Sequence, residues 1–199
     1  MPLSKKGTDM KNLLILAAAA LAFATPAAAQ QLVTNAGFET GSFTGYTLTG
    51  NTGFSGVAGG VGSSGAFGAF FGPVGSTGGI SQSLATTAGQ SYLISFDLQG
   101  DGGTPSFYQV LFGGAQLFTG TNPAAFGFTT FSTTATATGA STNLAFNFRN
   151  DPGFFSLDNV SVTAVTGAVP EPTTWMMMLL GFGAIGFAVR RRRTSTVLA

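Results

Sequence analysis

Apolar and polar residues alternate in short segments through the middle of the chain. Residues 92–98 carry Tyr, Ile, Phe and Leu at every second position, with mostly polar residues between them. Residues 144–148 repeat this period-two pattern, which is typical of a strand with one buried face. The same reasoning predicts further strands at residues 31–35, 46–49, 66–71, 79–84, 107–112, 116–118 and 126–138.

The last of these alternating segments changes phase along its length. Phe155 and Leu157 share one parity, whereas Val160 and Val162 share the other. This change around residues 158–159 predicts a β-bulge or a kink. No long stretch between the two ends of the chain combines helical periodicity with capping residues. About ten short strands therefore predict an all-β fold, a jelly-roll β-sandwich, over residues 30–165.

Residues 51–79 differ in composition, with eleven Gly and no charged residue. The segment is either a flexible loop or an excursion that contains short strands. It is not a nucleotide-binding loop, because no strand–turn–helix unit surrounds the glycines and no Lys follows them.

Charged residues are few and segregated. They make up 8% of the chain, against about 25% in a typical globular protein. Seven of the eight basic residues lie near the two ends, so residues 30–169 hold one Arg and five acidic residues, a net charge of −4. This region lacks the basic surface that nucleic-acid binding requires.

The chain has no Cys and no His. Core burial must therefore hold the sandwich without disulfides. The lack of His removes the usual general base and the commonest metal ligand. Asp97 and Asp101 could form a paired-carboxylate site, but Asp97 is predicted on the solvent face of a strand and Asp101 precedes a Gly in a turn. We therefore expect no enzymatic activity.

The first 29 residues have the features of a Sec-type signal peptide. Basic residues precede an uncharged apolar segment at residues 13–24. Ala27 and Ala29 fit the small-x-small rule, which predicts cleavage before Gln30 by signal peptidase after passage through the Sec translocon. Met10 is the predicted start, because it gives a more compact basic region. An uncleaved anchor is the less favoured alternative, since the apolar segment is shorter than the roughly 20 residues of a membrane span.

The C-terminal segment has an uncharged run bounded by aromatic and basic residues. Residues 172–189 carry no charge and would form a helix about 27 Å long, enough to cross a bacterial inner membrane. Trp175 would lie at the outer interface. We therefore predict a transmembrane helix at residues 173–189. The tail 190–199 would be held in the cytoplasm by Arg190, Arg191, Arg192 and Arg193.

The C-terminal segment resembles the PEP-CTERM sorting domain in its P-E-P-x-x-W subtype. The resemblance rests on Pro170, Glu171 and Pro172, followed by Trp175, the apolar span and the Arg cluster. The Ala that usually follows the Trp is Met176 here. The resemblance implies a linker at residues 166–172 that contains the processing site, and recognition of the tail by an exosortase. It also implies delivery from the inner membrane to the cell envelope or an exopolysaccharide matrix. The motif is a substrate for sorting and supplies no catalytic residue.

Two further motifs lie near the ends of the β-rich region. L-V-T-N-A-G-F-E-T-G begins at Leu32, and L-D-N-V-S-V begins at Leu157. They are similar to the opening and closing motifs of galactose-binding-like jelly rolls, which include many carbohydrate-binding modules. In those proteins the matching acids, here Glu39 and Asp158, often bind a structural Ca²⁺ together with backbone carbonyls. Oxygen ligands without His or Cys suit Ca²⁺. In the alternative, Glu39 caps backbone amides and Asp158 forms a turn.

A sugar-binding surface requires exposed aromatic rings beside convergent polar groups. Tyr108, Arg149 and Asn150 are the candidates, whereas most of the Phe residues are expected in the core. Two functions remain open. The protein is either a non-catalytic envelope or matrix protein whose sandwich binds extracellular polysaccharide, or a structural matrix protein without a soluble ligand.

Overall fold

The computed structural model of the protein describes residues 30–165 and 172–193. The predicted signal peptide, the start at Met10, Ala27, Ala29, Pro170, Glu171 and the end of the basic tail lie outside the described residues. The chain divides into two compact units, of which one is Ala29–Gly167 and the other includes the C-terminal helix.

Residues 30–165 form two five-stranded antiparallel sheets, which confirms the predicted β-sandwich. The first sheet has the strand order β1-β4-β9-β6-β7, and the second has the order β2-β3-β10-β5-β8. In chain order the strands are β1 (Thr47–Gly50), β2 (Ser55–Gly59), β3 (Phe67–Phe71), β4 (Gly78–Ala85), β5 (Ser91–Gly100), β6 (Ser106–Phe112), β7 (Ala115–Thr121), β8 (Phe126–Thr136), β9 (Ser141–Asn150) and β10 (Phe155–Ala164).

The core lies between the two sheets and is rich in aromatic rings. The alternating apolar residues of β5 and β9 point inward and are buried, as their pattern predicts. Phe96 of β5 meets Phe146 of β9 edge to face, with 5.2 Å between ring centroids. Phe71 of β3 stacks on Phe148 of β9 at 4.5 Å. Full burial of each such ring stabilises the fold by about 1.5–3 kcal/mol, so the unit is expected to fold without disulfides.

The predicted bulge is confirmed in β10. The pairing of β10 with β5 shifts register between Asp158 and Ser161, and Asn159 has a φ of 50°. Because of this shift, Val160 and Val162 point into the core although their parity differs from that of Leu157. The bulge therefore explains how both apolar pairs of this strand are buried.

One local expectation needs correction. Residues 31–35 form a single bridge, Gln31 to Thr163, and no continuous strand. The side chain of Gln82 occupies the place of a partner strand, because its Oε1 accepts from the Thr34 N–H at 2.8 Å. In the Gly-rich region, the structure contains β2, which sequence reasoning left open between loop and short strands.

The C-terminal helix, α1 (Pro172–Arg193), has 22 residues and covers the segment for which a helix was predicted. Trp175 is exposed within this unit. Measured by length and hydropathy, no helix among residues 30–165 and 172–193 reaches the values needed to cross a membrane.

Candidate functional site

Exposed apolar side chains gather where the β1–β2, β3–β4 and β9–β10 loops meet at one end of the sandwich. Phe54 is 68% exposed, and Val74 and Phe154 are exposed beside it around a cavity of about 220 Å³. Phe154 also borders a second cavity, of about 270 Å³. We call these two adjoining cavities the aromatic groove; its principal lining residues are Phe54, Phe70, Val74, Asp101, Pro152 and Phe154.

The β1–β2 loop presents Phe54 to solvent through a fixed backbone conformation. The side-chain Oδ1 of Asn51 accepts from the Gly53 N–H at 3.0 Å, and its Nδ2 donates to the Val74 carbonyl at 2.8 Å. Phe54 itself has a φ of 55°, which costs a non-Gly residue about 1–2 kcal/mol. Backbone strain of this kind clusters at functional sites, where the surrounding structure maintains it.

The β3–β4 loop is held by the carboxylate of Asp151. Both oxygens of Asp151 accept from the Gly75 N–H at 3.2 Å, and Oδ2 also accepts from Arg149 Nη2 at 2.7 Å. The hydrogen bonds from Arg149 lower the pKa of Asp151, and the Gly75 amide acts in the same direction. Arg149, one of the predicted ligand residues, therefore has its charge paired with Asp151 and stabilises the loop that carries Val74.

Asp101 and Phe154 fix the centre of the groove. The Asp101 N–H donates to the Phe154 carbonyl at 3.1 Å, and the Phe154 N–H donates to Asp101 Oδ2 at 3.2 Å. The Phe154 ring then meets Phe70 edge to face at 5.7 Å. Asp101 and Phe154 therefore line the second cavity together.

Asn150 lies at the base of the first cavity and is fully buried. Both its Oδ1 and its Nδ2 lack a hydrogen-bond partner among the described residues. The amide faces Gly153, since a Cβ built on Gly153 would lie 3.1 Å from both atoms. A buried amide without partners costs about 1–3 kcal/mol, and a buried water molecule would recover that energy.

Tyr108, another predicted ligand residue, points between the sheets. Its ring is half-buried and contacts Phe155 and Phe131 at centroid distances of 5.8 and 6.0 Å. Burial raises the pKa of the Tyr108 hydroxyl. Of the three predicted ligand residues, the structure therefore brings Asn150 to the groove, places Arg149 behind it and leaves Tyr108 in the core.

Three amide side chains form a row on the outer face of the first sheet. Asn147 Nδ2 donates to Gln109 Oε1 at 3.2 Å, and Gln109 Nε2 donates to Gln116 Oε1 at 2.7 Å. These amides satisfy one another across three neighbouring strands. A ligand on this face would have to compete with existing hydrogen bonds.

Glu39 and Asp158 contact the same segment, residues 63–67, which covers the end of the β2–β3 connection and the first residue of β3. Glu39 accepts from the backbone N–H groups of Ala66 and Phe67 at 3.0–3.2 Å. Asp158 is fully buried, and its Oδ2 accepts from the Ser64 N–H at 3.0 Å. The two acids thus stabilise one connection through amide hydrogen bonds, as the capping alternative describes for Glu39.

The donors around Gly62 provide a partial set of calcium ligands. A Cβ built there would contact the Phe67 carbonyl and would lie 2.8 Å from Asp158 Oδ2 and 3.0 Å from the Ser64 carbonyl. Ca²⁺ requires six to eight oxygens, so water and Glu39 would have to complete the set. Among the described residues, no group of three or more acids could hold a metal ion. Calcium binding stays a prediction.

Asp97 lies directly opposite Asp158 in the pairing of β5 with β10. The Ser63 hydroxyl bridges them, at 2.6 Å from Asp97 Oδ2 and 3.2 Å from Asp158 Oδ2. Burial pushes the pKa of Asp97 upward, but hydrogen bonds from Ser63, Thr130 and Asn159 outweigh it, so the pKa is lowered overall. Asp97 therefore has its oxygens occupied by three donors and does not reach Asp101 in the groove.

Sequence reasoning missed Phe54 and Phe154, since it assigned most Phe residues to the core. Phe154 follows Asp151-Pro152-Gly153, a turn sequence, and Phe54 follows Asn51-Thr52-Gly53. An aromatic residue directly after a turn was the available signal. Their meeting in one groove could not be inferred, because 100 positions separate them along the chain.

Comparison with protein families identifies the C-terminal segment. Residues 168–193 match the family described as the PEP-CTERM protein-sorting motif, which confirms the predicted resemblance. No curated protein matches the sequence significantly.

Solved structures with the same fold include several carbohydrate-binding modules. TmCBM61, solved in complex with β-1,4-galactotriose, superposes with a TM-score of 0.54 and 14% identity over 68% of this chain and 99% of the module. The CBM22-1 xylan-binding domain from Paenibacillus barcinonensis Xyn10C superposes with a TM-score of 0.50 and 18% identity, over 71% of this chain and 98% of that domain. The CBM22-1-GH10 modules of Clostridium thermocellum xylanase 10B, complexed with xylohexaose, superpose with a TM-score of 0.52 and 16% identity. The match covers 69% of this chain and 29% of that protein. At these identities the likeness establishes the jelly-roll fold alone.

Proposed function

We propose that this protein is an exported, non-catalytic protein of the cell envelope or exopolysaccharide matrix, and that its aromatic groove binds polysaccharide. The observation that carries the proposal is that exposed Phe54 and Phe154 lie in one groove with the exposed Asp101 carboxylate. An apolar cleft with a few convergent polar groups is the usual composition of a small-molecule or sugar site.

The shape of the groove favours a chain-like ligand. Its two cavities share Phe154 as a lining residue, and both are open to solvent. A sugar ring presents an apolar C–H face and polar hydroxyl edges. Phe154 can contact the apolar face while Asp101 accepts from a hydroxyl at the edge. Two successive sugar units would therefore occupy the two cavities.

The charges around the groove favour a neutral polysaccharide. Residues 30–169 contain one basic residue, Arg149, and its guanidinium is paired with Asp151. Asp101 adds a negative charge beside the exposed rings. A polyanionic chain would lack a cationic partner here and would meet a carboxylate, so uronic-acid-rich polymers should bind more weakly than neutral ones.

The acids of the domain are used structurally, which supports a non-catalytic role. Asp97 accepts three hydrogen bonds from neighbouring side chains, and Asp101 holds the Phe154 backbone. Glycoside hydrolysis usually requires two carboxyl groups, about 5–9.5 Å apart, that flank the bond to be cleaved. One of them must be free to donate a proton. The proposed site has Asp101 as its single carboxylate.

The PEP-CTERM motif indicates an exported protein that is anchored in the membrane before processing. We propose that an exosortase recognises Pro170-Glu171-Pro172 and the helix that follows, after signal peptidase has removed residues 1–29. The mature chain would then reach the envelope or the matrix, where extracellular polysaccharide is the ligand available to it.

Retention on polysaccharide tests the function. The isolated segment 30–167 would be run through gels that contain a neutral glucan, β-1,4-galactan, xylan or alginate, with Phe54→Ala and Phe154→Ala beside it. We expect retention by at least one neutral polymer and a loss of affinity of roughly fivefold or more in each variant, since central aromatic contacts typically cost more than 1 kcal/mol when truncated.

Leu93→Ala is the matched control. Leu93 is 41% exposed on β5, away from the groove, so its truncation removes a similar apolar surface. It should bind like the unsubstituted segment. If no polymer retards any form, the alternative function, a structural protein without a soluble ligand, replaces this one. Gln109→Ala is run as a further variant, and if it alone loses binding, the ligand lies on the outer amide row.

A further inference from the structure

The edge strand β8 lacks most of the features that usually protect a sheet edge. It is 11 residues long, about 37 Å, and pairs with β5 alone in the described part of the chain. Its register with β5 is unbroken from Thr136 to Thr129 and shifts once after that, between Leu98 and Gly100. Natural proteins normally protect long edges with Lys, Pro, a bulge or a covering loop. Residues 129–136 contain no charged residue, no Pro and no Gly.

The other three edges of the sandwich are different. β1 has four residues and β2 has five, which leaves little backbone for pairing. β7 has seven residues and a register shift opposite Val110 and Leu111. Among the described edge strands, a regular and uncharged run of eight residues, 129–136, is therefore found in β8 alone.

Some apolar residues that face the core beside β8 are only partly covered. Phe131 of β8 stacks on Phe96 at 5.3 Å and meets Phe118 of β7 edge to face at 5.5 Å. Phe118, Phe131 and Ala135 are all only half-buried, although they face the space between the sheets. Apolar surface continuous with the core thus remains uncovered beside the free backbone groups of β8.

We propose that β8 pairs with β8 of a second copy of this chain, in antiparallel orientation, to join two sandwiches through one continuous ten-stranded sheet. A two-fold axis at Phe131 would place Thr130 opposite Ser132 of the second copy and Thr129 opposite Thr133 of the second copy. Thr–Thr and Thr–Ser pairs and facing aromatic rings are favourable cross-strand partners. The strand carries no charge, so two sandwiches, each with a net charge of −4 over residues 30–169, can approach here without direct repulsion between the strands.

Sedimentation equilibrium of segment 30–167 tests the pairing, since this unit contains both sheets and the core between them. We expect the mass to rise toward that of a dimer with concentration. Ser132→Lys would place a charge on the exposed edge and should abolish the rise. Asn143→Lys is the matched control, because Asn143 is exposed on the central strand β9 of the other sheet and gives the same change of charge. It should dimerise like the unsubstituted segment.

Hydrogen exchange keeps the test decisive if Ser132→Lys folds poorly. In the unsubstituted segment, amides of residues 126–136 should exchange more slowly at high protein concentration, while those of β1 and β2 should not change. A mass that stays monomeric at every concentration, or a protection that appears on another edge, would overturn the proposal.

Discussion

Asp101 and Phe154 hold each other in place through two reciprocal hydrogen bonds, one from each backbone N–H. Asp101 directly follows β5 and Phe154 directly precedes β10, at the end of the pairing where Gly100 is opposite Phe155. One carboxylate therefore both positions an exposed aromatic ring and remains beside it as an acceptor. This relationship gives the groove a fixed geometry although it is built from loops.

Asp101→Ala should weaken polysaccharide binding more than Asp101→Asn. The Asn amide oxygen can still accept from the Phe154 N–H, whereas Ala leaves that donor without its side-chain partner. We expect roughly a tenfold loss of affinity for the Ala variant and a smaller loss for Asn. Affinity electrophoresis of both variants measures this, and equal losses would show that the charge matters and the positioning does not.

The pKa of Asp97 predicts an acid-sensitive part of the stability. Because the folded-state pKa is lowered, ionised Asp97 stabilises the fold above its unfolded pKa of about 4, and this contribution is lost as pH falls through the folded value. Asp97→Asn should flatten the fall in melting temperature below about pH 4. The pKa of Asp151 is also lowered, so the Asp97→Asn variant should keep a residual slope of melting temperature against pH. Identical pH profiles for variant and unsubstituted protein would contradict the assignment.

Calcium should raise the melting temperature of segment 30–167 if Glu39 and Asp158 hold the ion together. Binding to the folded state alone contributes about 2.7 kcal/mol at a hundredfold excess over Kd, which corresponds to several degrees. Glu39→Gln should abolish the rise while still accepting from the Ala66 amide. Magnesium provides the control ion. Equal melting in calcium and in chelator would leave both acids as partners of the β2–β3 connection.

Sorting should depend on the PEP residues. Replacing Pro170, Glu171 and Pro172 with Ala is expected to leave the protein in the inner-membrane fraction, because the exosortase would no longer process it. Fractionation of cells that carry the variant, with antibody detection, measures the distribution. Replacing Thr194 and Ser195 with Ala controls for changes to the tail. Unchanged delivery to the envelope would contradict the role of the motif.

The period-two pattern sufficed to predict β5, β9 and the bulge in β10, because burial on one face leaves a direct trace in the sequence. β2 gave no such trace, since Ser55–Gly59 pairs through its backbone and contains one large apolar residue, Val57. The groove depends on loops that approach only after the sheets pair. The exposure of Phe54 and the buried, unpartnered state of Asn150 are therefore properties of the fold that local patterns do not encode.

The most direct test of the groove is a map of where sugar contacts the protein. Oligosaccharides released from the envelope polysaccharide of the producing cells would be titrated into ¹⁵N-labelled segment 30–167, and backbone amide shifts followed by NMR. Our account predicts that the shifts cluster at Gly53, Phe54, Gly75, Asp101 and Phe154. Shifts confined to Gln109, Gln116 and Asn147 on the outer sheet face, or no shifts at saturating sugar, would contradict it.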